Sequence, residues 1–293
     1  MKHQYNKFSK FLIYTLIILF ISSCSDNNDG IDNDLPLTAS EILNVSYGND
    51  AQQKYDIYLP EGRTDELTKV FILVHGGSWV AGDKTDMNYM VDLLKTQFAE
   101  YAIVNINYRL ASVGNSPFPM QIDDIETIVS DLKSKSEEYQ ITDQYGFIGV
   151  SAGAHLSLLY SYKYDDTNDV DMVCSIVGPT NFTDDAYIND PAFANFAPGM
   201  QLITGVNYIN NPGFYEDLSP YHIVTFPAPP TILFYGDEDP LIPTSQGVDM
   251  HAKLDMLGVT NEFTLYAGEG HGWLGANAID TNLKLSAFIT THF

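Results

Sequence analysis

Cysteine and positive charge are the scarce materials of this 293-residue chain, which has two Cys and 14 Lys plus Arg against 38 Asp plus Glu. Cys174 stands inside the apolar stretch 170–177, where a free thiol packs as a small hydrophobe, so no disulfide framework is expected. The formal charge of −24, with no basic stripe after the first ten residues, would repel a nucleic-acid backbone. It also disfavours polyanionic substrates relative to neutral ones. Long apolar runs are missing too. The run at 11–21 falls short of the roughly 20 residues a spanning helix needs, and neither a repeat nor a second domain is evident.

What is present begins with an address. Lys2, Lys7 and Lys10 precede the apolar run 11–21, which predicts a signal peptide over 1–23. Ile21-Ser22-Ser23-Cys24 resembles a bacterial lipobox, in which Cys24 becomes the lipid-modified first residue. Residues 25–34 are mostly Asp, Asn and Gly with little to bury, so 24–38 is expected to be a flexible acidic tether. These features predict an exported bacterial lipoprotein, held at the outer membrane or cell surface through its N-terminal anchor.

From residue 39 to 293 the pattern is that of one α/β domain. Residues 55–59 alternate polar and apolar, as an outer strand does, whereas 70–74 and 102–106 are near-continuous apolar runs that suit inner parallel strands. Residues 86–98 and the spacing of Ile122, Ile125, Ile128, Val129 and Leu132 predict amphipathic helices. The alternation continues with a helix at 152–162, strands at 170–177, 231–235 and 261–266, and a closing helix over 282–293. The stretch 181–226, rich in Pro, Asn, Tyr and Phe, breaks this regularity and is expected to be a cap-like insertion over a site.

The chemistry is carried by four segments in a fixed order. Gly149-Val150-Ser151-Ala152-Gly153 lies between an apolar run and a small-residue helix, which is the setting of a nucleophile elbow. His75-Gly76-Gly77-Ser78-Trp79 precedes it, Gly236-Asp237-Glu238-Asp239-Pro240 follows, and Gly268-Glu269-Gly270-His271-Gly272-Trp273 comes last. A serine hydroxyl is a weak nucleophile, so a base must take its proton, and His271 in its glycine-rich late loop fits that part. An acid must orient the imidazole; Asp239, Asp237 and Glu238 all qualify by spacing. Backbone amides of Gly77, Ser78 and Ala152 are the expected donors to an oxyanion. Trp79 suits either the pocket wall or the packing beneath that loop. Arg109 is expected to pair with Asp123 or Asp124. Residues 77–85 nearly spell a phosphate-binding loop, but Asp83 stands between Gly82 and Lys84 and would oppose a phosphate.

Taken with Tyr55-Asp56-Ile57-Tyr58-Leu59-Pro60 and Asn107-Tyr108-Arg109-Leu110, these motifs resemble the esterase/lipase group of α/β-hydrolases. They are most similar to bifunctional feruloyl and acetyl-xylan esterases, over about 47–293. The resemblance implies an α/β-hydrolase fold, with a mostly parallel central sheet flanked by helices. It also implies catalysis by Ser151, Asp239 and His271, the second carboxylate of the GDxD segment being the triad acid, with no cofactor and no metal. Ser78 and Ala154 depart from the family pattern, where glycine is common. The implied function is a serine carboxylesterase cleaving short-chain acyl or feruloyl esters on polysaccharide or oligosaccharide substrates through an acyl-serine intermediate. Two other readings are a prolyl-oligopeptidase-type peptidase and a catalytically silent glycan-binding surface lipoprotein.

Overall fold

A computed structural model describes residues 37–293. The expected signal peptide, Cys24 and the tether up to residue 36 lie outside the described residues. Eight strands, β1 (Ser40–Ser46), β2 (Lys54–Leu59), β3 (Val70–Val74), β4 (Ala102–Ile106), β5 (Tyr145–Val150), β6 (Val170–Ile176), β7 (Thr231–Gly236) and β8 (Asn261–Tyr266), form one sheet. Their order is β1-β2-β4-β3-β5-β6-β7-β8. The β1–β2 and β2–β4 pairs are antiparallel and every pair from β4 to β8 is parallel. This is the α/β-hydrolase architecture.

The helices are α1 (Asn88–Gln97), α2 (Met120–Ser134), α3 (Ser136–Tyr139), α4 (Ala152–Lys163), α5 (Asp185–Asn189), α6 (Phe196–Thr204), α7 (Pro212–Asp217), α8 (Pro220–Ile223), α9 (Thr244–Leu257) and α10 (Gly275–His292). Successive strand side chains point to opposite faces, and β3 shows the result. Val70, Ile72 and Val74 pack with Ile122 and Ile125 of α2 and Leu156 of α4, whereas Phe71 and Leu73 pack with Val91 and Leu94 of α1 and Leu285 and Phe288 of α10. All five β3 residues are fully buried, which is why that strand is a continuous apolar run. A third cluster joins Leu233 and Tyr235 of β7 to Met250 and Leu254 of α9.

Two expectations are corrected and one helix is added. Residues 55–59 do not form the outer strand, because β1 pairs outside them, and the polar Asp56 of their alternation is buried. It can be so because Lys84 Nζ stands 3.0 Å away and the Asn44 amide donates to Oδ1 at 2.7 Å. Lys84, the residue that made 77–85 look phosphate-binding, is thereby committed to β2. The closing helix begins at Gly275 rather than 282. Helix α9, one turn past Asp239, has no counterpart in the sequence reading. The expected insertion corresponds to α5 through α8, a run of short helices between β6 and β7.

Candidate active site

Ser151 is the first residue beyond β5 and stands at φ 54°, ψ −119°, a left-handed conformation that costs about 1–3 kcal/mol for a residue with a side chain. The turn closes tightly enough that its flanking glycines are obligatory. A Cβ on Gly149 would lie 2.5 Å from Gly153 O, and one on Gly153 would lie 2.2 Å from Val74 O and 2.3 Å from His75 O. The elbow therefore packs backbone against backbone with the end of β3.

The loops after β7 and β8 bring two further groups to Ser151. His271 Nε2 is 2.9 Å from Ser151 Oγ, and His271 Nδ1 is 2.7 Å from Asp239 Oδ2. A carboxylate only accepts, so Nδ1 carries the imidazole proton and Nε2 is free to accept from the serine hydroxyl. Asp239 is itself fixed: its side chain is buried, and Oδ1 accepts from the Leu241 amide at 2.8 Å and the Ile242 amide at 3.1 Å. Its neighbours are placed otherwise. Asp237 is exposed and accepts from the Gly268 amide at 2.6 Å, which ties the β7 and β8 loops together, and Glu238 is exposed.

The amides of Gly77, Ser78 and Ala152 have no hydrogen-bond partner among the described residues. Gly76 brings the loop after β3 against the elbow, since a Cβ there would come within 3.2 Å of Ser151 Cβ. Ser78 and Trp79 both hold left-handed backbone conformations, at φ 51° and 64°. Free N–H groups beside a nucleophile, one of them at the start of α4, suit a developing negative charge. His75 is a support rather than a base: its ring is buried, stacks on Tyr108 at 4.3 Å, and burial pulls its pKa below the usual histidine value.

Ser151 and Ser78 open onto an apolar cavity of about 330 Å³, walled by Trp79, Phe196, Met200 and Ile203 and by Leu241 and Ile242. Phe196, Met200 and Ile203 belong to α6, so that helix of the insertion forms part of the cavity wall. Trp79 does both things its sequence position allowed: it lines the cavity and packs edge-on against Phe182 (5.6 Å) and His155 (5.4 Å).

Sequence reasoning missed the residues that pin the cap. Gln246 on α9 is fully buried, accepts from the Thr180 and Asn181 amides, and donates to Asn181 O and Asp184 Oδ2. His155, one turn after Ser151 on α4, stacks on Phe182 at 4.6 Å and reaches Leu218 O through Nε2 at 2.8 Å. Burial drives its pKa down to about 4, against the smaller opposing effect of the Leu218 carbonyl, so the neutral ring donates that bond. Its place beside the elbow was visible in the sequence; its partners, more than 20 residues away, were not. Arg109 pairs with Asp124, at 2.6 Å, and not with Asp123. Cys174 is buried in β6, where burial raises its thiol pKa and leaves it inert.

The family model described as BD-FAE matches residues 55–254. Esterase LipC of Mycobacterium tuberculosis is 27% identical over 243 residues, covering 78% of this chain and 59% of LipC, so the chain spans little more than half the length of that relative. Among solved structures, a truncated carbohydrate esterase from gut microbiota superposes with TM-score 0.67 at 23% identity, over 85% of this chain and 97% of the other. A bifunctional GH43-CE protein of Bacteroides eggerthii gives TM-score 0.67 at 22% identity, over 84% and 38%.

Proposed function

Because this chain belongs to the BD-FAE family, we propose that it is a serine carboxylesterase that cleaves acyl esters carried on sugars through an acyl-Ser151 intermediate. The observation that carries the reading is the continuous relay from Ser151 Oγ through His271 to the buried Asp239 carboxylate. In this mechanism Oγ attacks the ester carbonyl carbon while His271 Nε2 takes its proton. The carbonyl electrons move onto oxygen, where the amides of Gly77, Ser78 and Ala152 receive them, each worth about 3 kcal/mol of barrier. As the tetrahedral intermediate collapses, His271 returns the proton to the departing alkoxide and Ser151 is left acylated. Water, activated by the same imidazole, then releases the acid. Asp239 keeps the Nδ1–H tautomer throughout and stabilises the transient imidazolium.

The carbohydrate part of the reading draws on the family and on the resemblance to structures named as carbohydrate esterases. Acid release from acetylated xylan, feruloylated arabinoxylan and a short aryl ester, with Ser151→Ala as control, tests it. Serine-dependent release of acetate or ferulate supports a carbohydrate esterase. Cleavage of the aryl ester alone reduces the reading to a general esterase, and no serine-dependent turnover removes it. The sequence around Cys24 further supports action outside the cytoplasm as a lipoprotein. Palmitate labelling of the full chain, abolished in Cys24→Ala, is the expected outcome, and unlabelled wild type would refute the anchor.

A further inference from the structure

One position in the cavity wall has no side chain. Gly199 stands in the middle of α6, and residues 195, 196, 202 and 203, three and four places to either side, all line the cavity. Residues at those offsets share one helix face, which puts position 199 at the centre of the face turned to the cavity. Nothing local requires glycine there. Its backbone is not left-handed, and a Cβ built on it would meet no heavy atom within 4 Å. Glycine is the poorest helix former after proline, so the sequence accepts a weaker α6 at a point where any larger residue would project into the cavity.

We propose that Gly199 sets the substrate range of this site: it keeps open a cavity that seats an apolar group of the ester of about ten non-hydrogen atoms. The inference rests on Ser151 being the nucleophile. A cavity of about 330 Å³ divided at ~30 Å³ per water-sized atom gives that number. An acetyl group would leave most of it unfilled. The group is mostly apolar because, beyond Ser78 and Ser151 at the reacting end, the wall's polar side-chain atoms are those of Asn195, which is exposed, and the single indole N–H of Trp79, which has no partner. A group carrying several hydroxyls would lose more hydrogen bonds to water than that one donor replaces. Each methylene buried there improves binding by about fourfold.

The test is two substrate series on the full chain: p-nitrophenyl acetate, butyrate and octanoate, and the acetates of ethanol, butanol and octanol. Wild type is compared with Gly199→Leu and with Gly213→Leu. Gly213, in α7, also has open space around its Cβ position but lies outside the cavity. In wild type, kcat/KM should rise at least about tenfold from the shortest to the longest member of one series. Gly199→Leu should erase that rise and leave the shortest ester within about twofold, while Gly213→Leu changes neither. A rise in the first series assigns the cavity to the acyl group, and a rise in the second to the alcohol. The proposal fails if wild type prefers the shortest ester in both series. It also fails if Gly199→Leu, melting like wild type, slows all chain lengths equally. Absence of Ser151-dependent turnover throughout overturns the nucleophile reading, and this inference with it.

Discussion

The sheet edge that presents Ser151 and the cap that forms part of its cavity wall face each other, yet different kinds of contact hold them. At the edge, position is set by main chain: Gly149 and Gly153 allow β5, β3 and α4 to touch, and two amides clamp Asp239. In the cap, rings share the work with the hydrogen bonds of Gln246 and His155: Tyr187 stacks on Phe196 at 3.6 Å, Phe196 leans on Phe182, and Phe182 stacks on His155. Main-chain contacts have almost no alternative arrangement, whereas stacked side chains can repack within fractions of their contact energy. Groups that must stay within tenths of an ångström for chemistry sit on the first kind of support. The wall that must fit a substrate sits on the second.

The largest break in this contrast should come from Asp239→Asn. An amide cannot hold the Nδ1–H tautomer as a carboxylate does, so kcat should fall by about 10⁴; Asp237→Asn, which touches only the Gly268 amide, should stay within a few-fold. Equal losses in the two variants would reject Asp239 as the partner of the imidazole. Next is Gly153→Ala, whose methyl group would be driven into Val74 O and His75 O. Labelling of Ser151 by a fluorophosphonate should slow about 10²-fold as the elbow shifts, and an unchanged labelling rate would show that the edge can yield.

The third prediction concerns the joint between the two regions. Folding holds His155 neutral with a pKa of about 4, below the ordinary value of 6.5. The unfolded chain therefore takes up a proton first as pH falls. Stability from this residue is complete above pH 6.5 and is lost as pH drops through 4, by about 3 kcal/mol in total. Urea unfolding at stepped pH should show a shallower decline over that window in His155→Gln, and parallel slopes would acquit this histidine. The smallest effect belongs to the cap alone. Tyr187→Leu removes one stacked pair and should cost about 1 kcal/mol, read as a raised KM with kcat nearly preserved; a fall in kcat would mean the cap positions the reacting groups after all.

The same division explains what could be read from sequence. Inner strands were legible because burial on both faces writes an unbroken apolar run, as in Val70 through Val74. The elbow was legible because a left-handed serine needs small neighbours on both sides. β1 was not: five of its seven residues are exposed, so its sequence carries no burial pattern, and its existence rests on pairing with β2. Asp56 looked like the outward face of an edge strand because the lysine that neutralises it lies 28 positions later. Among Asp237, Glu238 and Asp239 spacing was silent, and only the family pattern separated them; which of the three turns inward depends on where the following amides point. The clamps of the cap, Gln246 and His155, were invisible as such because most of their hydrogen bonds run to main-chain groups, which have no residue identity to signal the partnership.

The chain has two tryptophans, one in the cavity wall and one in the loop that carries His271. Trp79 forms part of the cavity wall, and Trp273, two residues after His271, packs on Tyr266 with its indole N–H held by Thr281. Nearly all of the protein's long-wavelength ultraviolet emission therefore originates at the cavity wall and the histidine loop. Without any label, a change in that light reports on the cavity and the histidine loop and on little else. Replacing Trp273 by Phe would leave a single lamp in the cavity wall, bright or quenched according to what fills the space beside it.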